Sequence, residues 1–382
     1  MAKKPLLEFT DKGICCPQGR FYIDPWKPVD DAVITHAHAD HAYFGNKRYL
    51  AHELSKEVLL YRLGDIRLQT AAYGEKVIKN GVQISLHPAG HVIGSAQVRI
   101  EYLGEVWVVS GDYKVEDDGV STPFEPVCCH NFISECTFGM PVYQWKPQRG
   151  IFDDINSWWQ SNQAHERATV LVGYSLGKAQ RILQNLDLAN GKVYTHGVIE
   201  NTNEALRRNG IALNPTERIT PETSKEEVRK GIILAPPSSV GTTWMRRFYP
   251  YSFGYCSGWM AVRGAKRRMA ADRGFVLSDH ADWDGLISAI DATSCESVYL
   301  THGYTAVFAR YLNEIGYDAH EEHTLYGDDE VALPQPAASE NETEDTIRAV
   351  DEAPSFAGAQ ASGEEGLPDA RQQDLANTGG PA

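Results

Sequence analysis

Nowhere in these 382 residues do about 18 uncharged apolar residues run together, so no membrane-spanning helix is expected. The opening Met-Ala-Lys-Lys-Pro-Leu-Leu-Glu lacks the apolar core of a secretory leader. Cysteine is sparse. Of seven, Cys15/Cys16 and Cys128/Cys129 are adjacent and Cys136, Cys256 and Cys295 scattered, with no C-x-x-C and no dense framework. This argues against a disulfide scaffold or a thiolate zinc site, and with the missing leader it leads us to expect a cytoplasmic protein. Positive charge is also short, at 36 Lys+Arg against 51 Asp+Glu and a net −15, which looks hostile to nucleic acid. Much of that deficit is local, because residues 337–382 hold ten acids against Arg348 and Arg371. These residues are Ala-, Gly-, Pro-, Glu- and Gln-rich with hardly an aromatic, too little apolar surface to offset the entropy of ordering, so a disordered acidic tail is expected.

Upstream, the 42% hydrophobic content suffices for one large domain or two ordinary ones. Short β-branched and aromatic runs over 20–23, 32–35, 82–86, 96–102, 106–110 and 131–135, separated by Gly, Asp and Asn, predict strands. After Trp145 helical patterns (152–164, 178–188, 200–208) alternate with extended ones (169–172, 193–195, 232–235), the mark of a mainly parallel sheet wrapped by helices. Strands at 275–278 and 297–301 and helices at 283–292 and 306–315 follow. The segment Gly173-Tyr174-Ser175-Leu176-Gly177-Lys178 lies like a P-loop between strand and helix, but it is one residue short and no Ser or Thr follows the Lys, so we read it as a tight turn.

The chemistry centres on Thr35-His36-Ala37-His38-Ala39-Asp40-His41, directly after the apolar run Ala32 to Ile34. In an extended segment side chains repeat every two residues, so His36 and His38 can share one metal, while Asp40 and His41 swing toward a neighbouring position as the chain turns. Further ligands must come from elsewhere. His91, Asp112 and His302 are candidates, each at an apolar strand end and flanked by glycine. Imidazole and carboxylate donors without thiolates suit zinc or manganese, and a bridging carboxylate is the natural role for Asp112. His52, His130, His165, His196, His320 and His323 lack such context.

This pattern resembles the metallo-β-lactamase superfamily, with its H-x-H-x-D-H motif and distant His, Asp and His. The resemblance implies that His36, His38 and His91 hold one divalent ion and Asp40, His41 and His302 another, with Asp112 shared and Asp24 orienting the ligands. Two ions about 3.5–4 Å apart lower the pKa of a trapped water toward ~7. Some 145 residues separate Glu135 from His280, too many for a loop. The flanking Ile133-Ser134-Glu135-Cys136-Thr137 and Leu277-Ser278-Asp279-His280-Ala281-Asp282 resemble landmarks of the β-CASP nucleases, closest to the bacterial ligase-associated DNA exonucleases. The implied fold is α/β, a metallo-β-lactamase αββα sandwich over 1–146 and 275–336 with a β-CASP α/β domain inserted at 147–274.

Phosphodiester cleavage needs a proton for the departing alkoxide. A histidinium can supply it, and a carboxylate beside the imidazole stabilises the charged form, so His280 with Glu135 is the candidate acid pair, with Asp40 counted in the catalytic group as well as among the ligands. Arg246, Arg247, Arg263, Lys266, Arg267, Arg268 and Arg273 oppose only Asp272, with Phe248, Tyr249, Tyr251, Phe253, Tyr255 and Trp259 interleaved. Basic groups track phosphates and aromatic faces stack bases, so Arg246, Arg247, Lys266, Arg267 and Arg268 are candidate nucleic-acid contacts. The expectation is a two-metal exonuclease, with zinc or alternatively manganese, acting on DNA in repair, with a DNA ligase and helicase as partners implied by the resemblance. RNA processing is the alternative, since histidine at position 302 resembles the RNA-cleaving relatives. An ester or thioester hydrolase and an inactive scaffold subunit are the other classes weighed.

Overall fold

The computed structural model describes residues 5–325 except 263, 265, 266 and 268, so the tail expected over 337–382 lies outside the described residues. Six short strands come first: β1 (Glu8–Thr10), β2 (Gly13–Cys16), β3 (Phe21–Ile23), β4 (Asp31–Val33), β5 (Arg48–His52) and β6 (Leu68–Ala71), with α1 (Lys56–Leu63) before β6. They form one sheet in chain order. Then come β7 (Val77–Lys79), β8 (Val82–Pro88), β9 (Ala96–Tyr102), β10 (Glu105–Val109) and β11 (Asn131–Cys136).

The next stretch alternates: α2 (Gln148–Ala164), β12 (Ala168–Val172), α3 (Lys178–Asn185), β13 (Val193–Thr195), α4 (Gly197–Arg208), β14 (Glu217–Arg218), α5 (Lys225–Lys230), β15 (Ile232–Ala235), α6 (Thr243–Arg246), β16 (Tyr251–Cys256) and β17 (Arg273–Phe275). The chain closes with α7 (Trp283–Thr293), β18 (Ser297–Gly303), α8 (Thr305–Glu314) and β19 (Asp318–Glu321).

The second sheet has the order β19-β18-β11-β10-β9-β8-β7, so β18 and β19 return across the insertion to finish a sheet begun before it. The third, β14-β13-β15-β12-β16-β17, is parallel at every pairing. Alternation explains the layers. Ile14, Phe21, Ile23, Val33 and Leu50 of the first sheet meet Ile84, Val98, Ile100 and Trp107 of the second in one core. The second sheet's other face is covered by Leu286 and Ile290 of α7 and Phe308 and Leu312 of α8, and α1 covers the first sheet. This helix–sheet–sheet–helix sandwich carrying a third, parallel α/β sheet is the expected fold class.

Helix α2 shows the local logic. Phe152, Ile155, Trp158 and Trp159 recur at helical spacing on one buried face, each contributing about 1.5–3 kcal/mol when fully buried. The inserted sheet docks through α4: Ala205 and Leu206 join Val58 and Leu59 of α1 in one core, and Asn201 Nδ2 donates to Tyr61 Oη at 3.1 Å. Some elements differ from expectation. The strand expected over 275–278 ends at Phe275 and the helix expected to 188 ends at Asn185, while β1, β2, β5, α1, β6, β7, β14, α5, α6, β16 and β19 were not foreseen.

Strand direction places the site. β10, β11 and β18 are mutually parallel, and β8 runs with them because it is antiparallel to β9, which is antiparallel to β10. Their carboxyl ends share one edge. No helix among the described residues is long and apolar enough to cross a membrane.

Candidate metal centre and adjoining cleft

Each candidate ligand leaves a carboxyl end: His36 to His41 after β4, His91 after β8, Asp112 after β10, and His302 near the end of β18, with the orienting Asp24 just after β3. Gly111 lets the chain turn there. Its φ is +57°, and a Cβ would meet the Thr35 side chain at 2.6 Å.

Ligand atoms of His36, His38, His91 and Asp112 lie within 4.8 Å of one another, as do those of His36, Asp40 and His41, and those of His41, Asp112 and His302. Asp112 lies between the groups. Its Oδ2 faces His36 Nε2 at 3.5 Å and His91 Nε2 at 3.7 Å, and its Oδ1 faces His302 Nε2 at 2.9 Å and His41 Nε2 at 3.5 Å. Burial would raise the Asp112 carboxyl, but His41 and His302 outweigh it and hold it well below the usual range.

Two main-chain carbonyls test the fit of a cation. A carbonyl only accepts, so His38 Nε2 donates to Leu176 O at 3.2 Å and His91 Nδ1 to Asp279 O at 2.9 Å. In the neutral rings His38 Nδ1 and His91 Nε2 then face each other as acceptors 3.1 Å apart. Burial and the nearby His280 keep His91 well below its usual pKa, so protonation is a costly way to relieve that repulsion. A cation shared with Asp112 relieves it directly. His36 Nε2 is likewise buried and has no hydrogen-bond partner among the described residues, and burial together with His41 pushes its pKa well down. These clusters are able to bind metal.

Asp24 is buried and accepts from Thr35 N at 2.8 Å, Thr35 Oγ1 at 2.5 Å and His41 Nδ1 at 2.8 Å, which turns His41 Nε2 toward the cluster. Burial opposes charge on His41, yet Asp112, Asp40 and Asp24 together raise it well above the ordinary histidine value. Asp31, which also precedes the motif, is bound to Arg48 and Lys79 instead. Glu135 Oε1 accepts from Tyr113 N at 2.8 Å and Oε2 from Thr137 Oγ1 at 2.5 Å, and the carboxylate takes His280 Nδ1 at 2.9 and 3.0 Å. Ligand atoms of Asp112, Glu135 and His280 also lie within 4.8 Å of one another.

A cleft of about 830 Å³ opens beside His38 between α1 and the inserted sheet. Arg62, Arg218 and Arg247 line it with Tyr174, His196 and Trp244. Arg247 is half-buried and donates to Thr220 O at 2.8 Å, whereas the exposed Arg246 and Arg267 are not among the lining residues. Lys266 and Arg268, with Arg263, lie outside the described residues. Three of the six interleaved aromatics are core, Phe248, Phe253 and Tyr255, while Tyr251 and Trp259 are partly buried and Tyr249 is exposed. His196, which sequence context did not single out, packs edge-on against Trp244 with centroids 4.6 Å apart, its pKa lowered to about 4 by burial and Arg218. The 173–178 turn meets the cluster through Leu176. Its Gly-Lys pattern was visible, but its place was not.

No family model matches the chain. It is 30% identical over 311 residues to a probable DNA ligase from Opitutus terrae, covering 80% of this chain and 30% of that one. To cleavage and polyadenylation specificity factor subunit 3-I of Arabidopsis thaliana it is 22% identical over 364 residues, covering 79% and 49%. To endoribonuclease YSH1 of Saccharomyces cerevisiae it is 29% identical over 123 residues, covering 32% and 16%. The chain thus spans half or less of the length of these relatives. Its fold also resembles the crystal structure of a protein of unknown function from Enterococcus faecalis V583, at TM-score 0.50 and 11% identity, covering 78% of this chain and 79% of that one.

Proposed function

The chain is related to the β-CASP nucleases of the metallo-β-lactamase superfamily, and from that premise we propose that it is a two-metal DNA exonuclease. The observation that carries this is the carboxylate of Asp112 set between two His/Asp groups, with the Glu135–His280 pair beside it and a basic cleft at its edge. His36, His38 and His91 would hold one ion and Asp40, His41 and His302 the other, with Asp112 available to both. The donor set of nitrogen and oxygen favours zinc, with manganese second. Divalent ions held there would supply a water of lowered pKa and neutralise phosphate oxygens.

The chain's own groups do the rest. Asp24 keeps the proton on His41 Nδ1 and so presents Nε2 as the ligand atom. Glu135 binds His280 Nδ1 and directs the Nε2 proton of the imidazolium to the departing oxygen. Arg62, Arg218 and Arg247 attract phosphates into the cleft, and Trp244 with His196 offers a base a ring to stack on. Residues 147–274, which contribute most of these cleft residues, act as the inserted substrate module.

The probable DNA ligase carries a segment like this chain in 30% of its length, which supports DNA as the polymer and a ligase as partner. The relatives whose names specify RNA cleavage or polyadenylation support the second reading, RNA processing. End-labelled single- and double-stranded DNA and RNA, incubated with the full chain and Zn²⁺ or Mn²⁺, separate the two. Stepwise shortening of DNA is expected. Cleavage of RNA alone moves the function to RNA, and no cleavage of either polymer refutes the nuclease reading.

A further inference from the structure

Helix α3 begins against the first cluster, and its opening turns carry three polar side chains with almost no exposed surface: Lys178 at 1%, Gln180 at 0% and Arg181 at 2%. Buried charge is costly unless it is paired and bonded, and here both cations converge on one short segment. Lys178 Nζ lies 3.5 Å from Asp279 Oδ2. Arg181 donates to Ser278 O at 2.5 Å, lies 3.4 Å from Asp279 Oδ1 and donates from Nε to Gln148 Oε1 at 2.9 Å. Burial would raise the Asp279 carboxyl, yet Lys178 and Arg181 outweigh it and hold it below the usual range.

Gln180 clasps the preceding turn. It accepts from Gly177 N at 2.7 Å and donates to Ser175 O at 2.9 Å and Asn203 Oδ1 at 2.8 Å. Gly177 has φ +89°, and a Cβ there would meet Val92 Cγ1 at 2.4 Å, so the turn sits hard against the residue following His91. Each clasped segment presents one carbonyl to one histidine: Leu176 O to His38 Nε2 and Asp279 O to His91 Nδ1.

We propose that Lys178, Gln180 and Arg181 are positioning residues for the first cluster, fixing the two carbonyls that set the His38 and His91 tautomers. Seating of α3 by the inserted sheet therefore prepares both rings for an ion. A loosened carbonyl lets either imidazole move its proton to the nitrogen that should bind metal, or rotate away. The proposal rests on the metal-site reading above, but the tautomers are set in the metal-free protein and can be read without it.

The test is long-range ¹H–¹⁵N imidazole spectroscopy of the metal-free full chain, with zinc binding measured alongside by dialysis and elemental analysis. In the unaltered protein His38 is expected as the Nε2–H tautomer and His91 as the Nδ1–H tautomer. Lys178→Met should leave His91 a mixture with His38 little changed, Gln180→Ala should do the reverse, and Lys178→Arg should restore His91. One ion should bind about 10- to 100-fold more weakly in Lys178→Met and in Gln180→Ala. Should Lys178→Met fail to fold because the buried Asp279 keeps only Arg181 as a counter-charge, the Lys178→Met/Asp279→Asn double variant removes both charges of the pair and should show the same mixed His91. Folded variants with single tautomers and two ions bound as tightly as in the parent overturn the proposal. Absence of zinc from the parent overturns the metal-site reading instead, while the tautomers still decide the positioning role.

Discussion

Replacing His280 by alanine removes the imidazole held by Glu135 at 2.9 and 3.0 Å. The buried carboxylate keeps its bonds from Tyr113 N and Thr137 Oγ1, so it is not stranded and the fold should survive. A positioned general acid contributes about 100- to 10,000-fold in rate, or about 3–5 kcal/mol of barrier at 1.36 kcal/mol per decade. That loss should depend on the leaving group. An alkoxide leaving a nucleic-acid backbone needs the proton, whereas p-nitrophenolate departs unaided, so the deficit on a p-nitrophenyl nucleotide ester should shrink to within about tenfold. Single-turnover cleavage of an end-labelled strand, p-nitrophenolate release and elemental analysis of bound metal together make the assay. Equal deficits on the two substrates would refute the acid role. Metal loss in proportion to activity would make His280 a ligand, which its closeness to Asp112 allows.

Asp24→Ala removes the acceptor for three buried donors on Thr35 and His41. At about 1–3 kcal/mol for each group left unsatisfied, urea unfolding of the metal-free protein should show a loss of about 3–9 kcal/mol, and a loss below about 1 would contradict the geometry. Burial lowers His52 to about 4, so the unfolded chain binds its proton first and stability falls as pH drops from about 6.5 toward 4, by about 2–3 kcal/mol. His52→Gln should flatten that part of the profile, and an unchanged profile would discount the effect. Replacing Arg218 and Arg247 together by alanine should weaken nucleic-acid binding and lower the slope of log K against log salt by about two. Arg246→Ala, outside the cleft lining, should change it less, and the opposite ranking would move the binding surface.

Much of the centre was legible in the chain because its information is local. Two-residue spacing puts His36 and His38 on one side of an extended segment, and glycine beside His91, Asp112 and His302 marks tight strand ends. The alternation after Trp145 announced the parallel third sheet. The basic patch was less legible. Charge density along the sequence singled out 246–273, whereas the cleft draws Arg62 from α1 and Arg218 from β14 and, among the described residues of the foreseen set, takes in Arg247 but not Arg246 or Arg267. Sequence distance says nothing about which of many arginines faces a groove.

The sequence by itself determined which donor atoms exist and which local turns present them, since backbone periodicity and glycine permissiveness act over a few residues. Only the tertiary structure decided that the two oxygens of Asp112 face different histidines. It alone decided that the rings of His38 and His91 are set by carbonyls 138 and 188 residues away. Such bonds form only when separate layers dock, and docking depends on the packed surfaces of α1 and α4 rather than on any spacing within the motif.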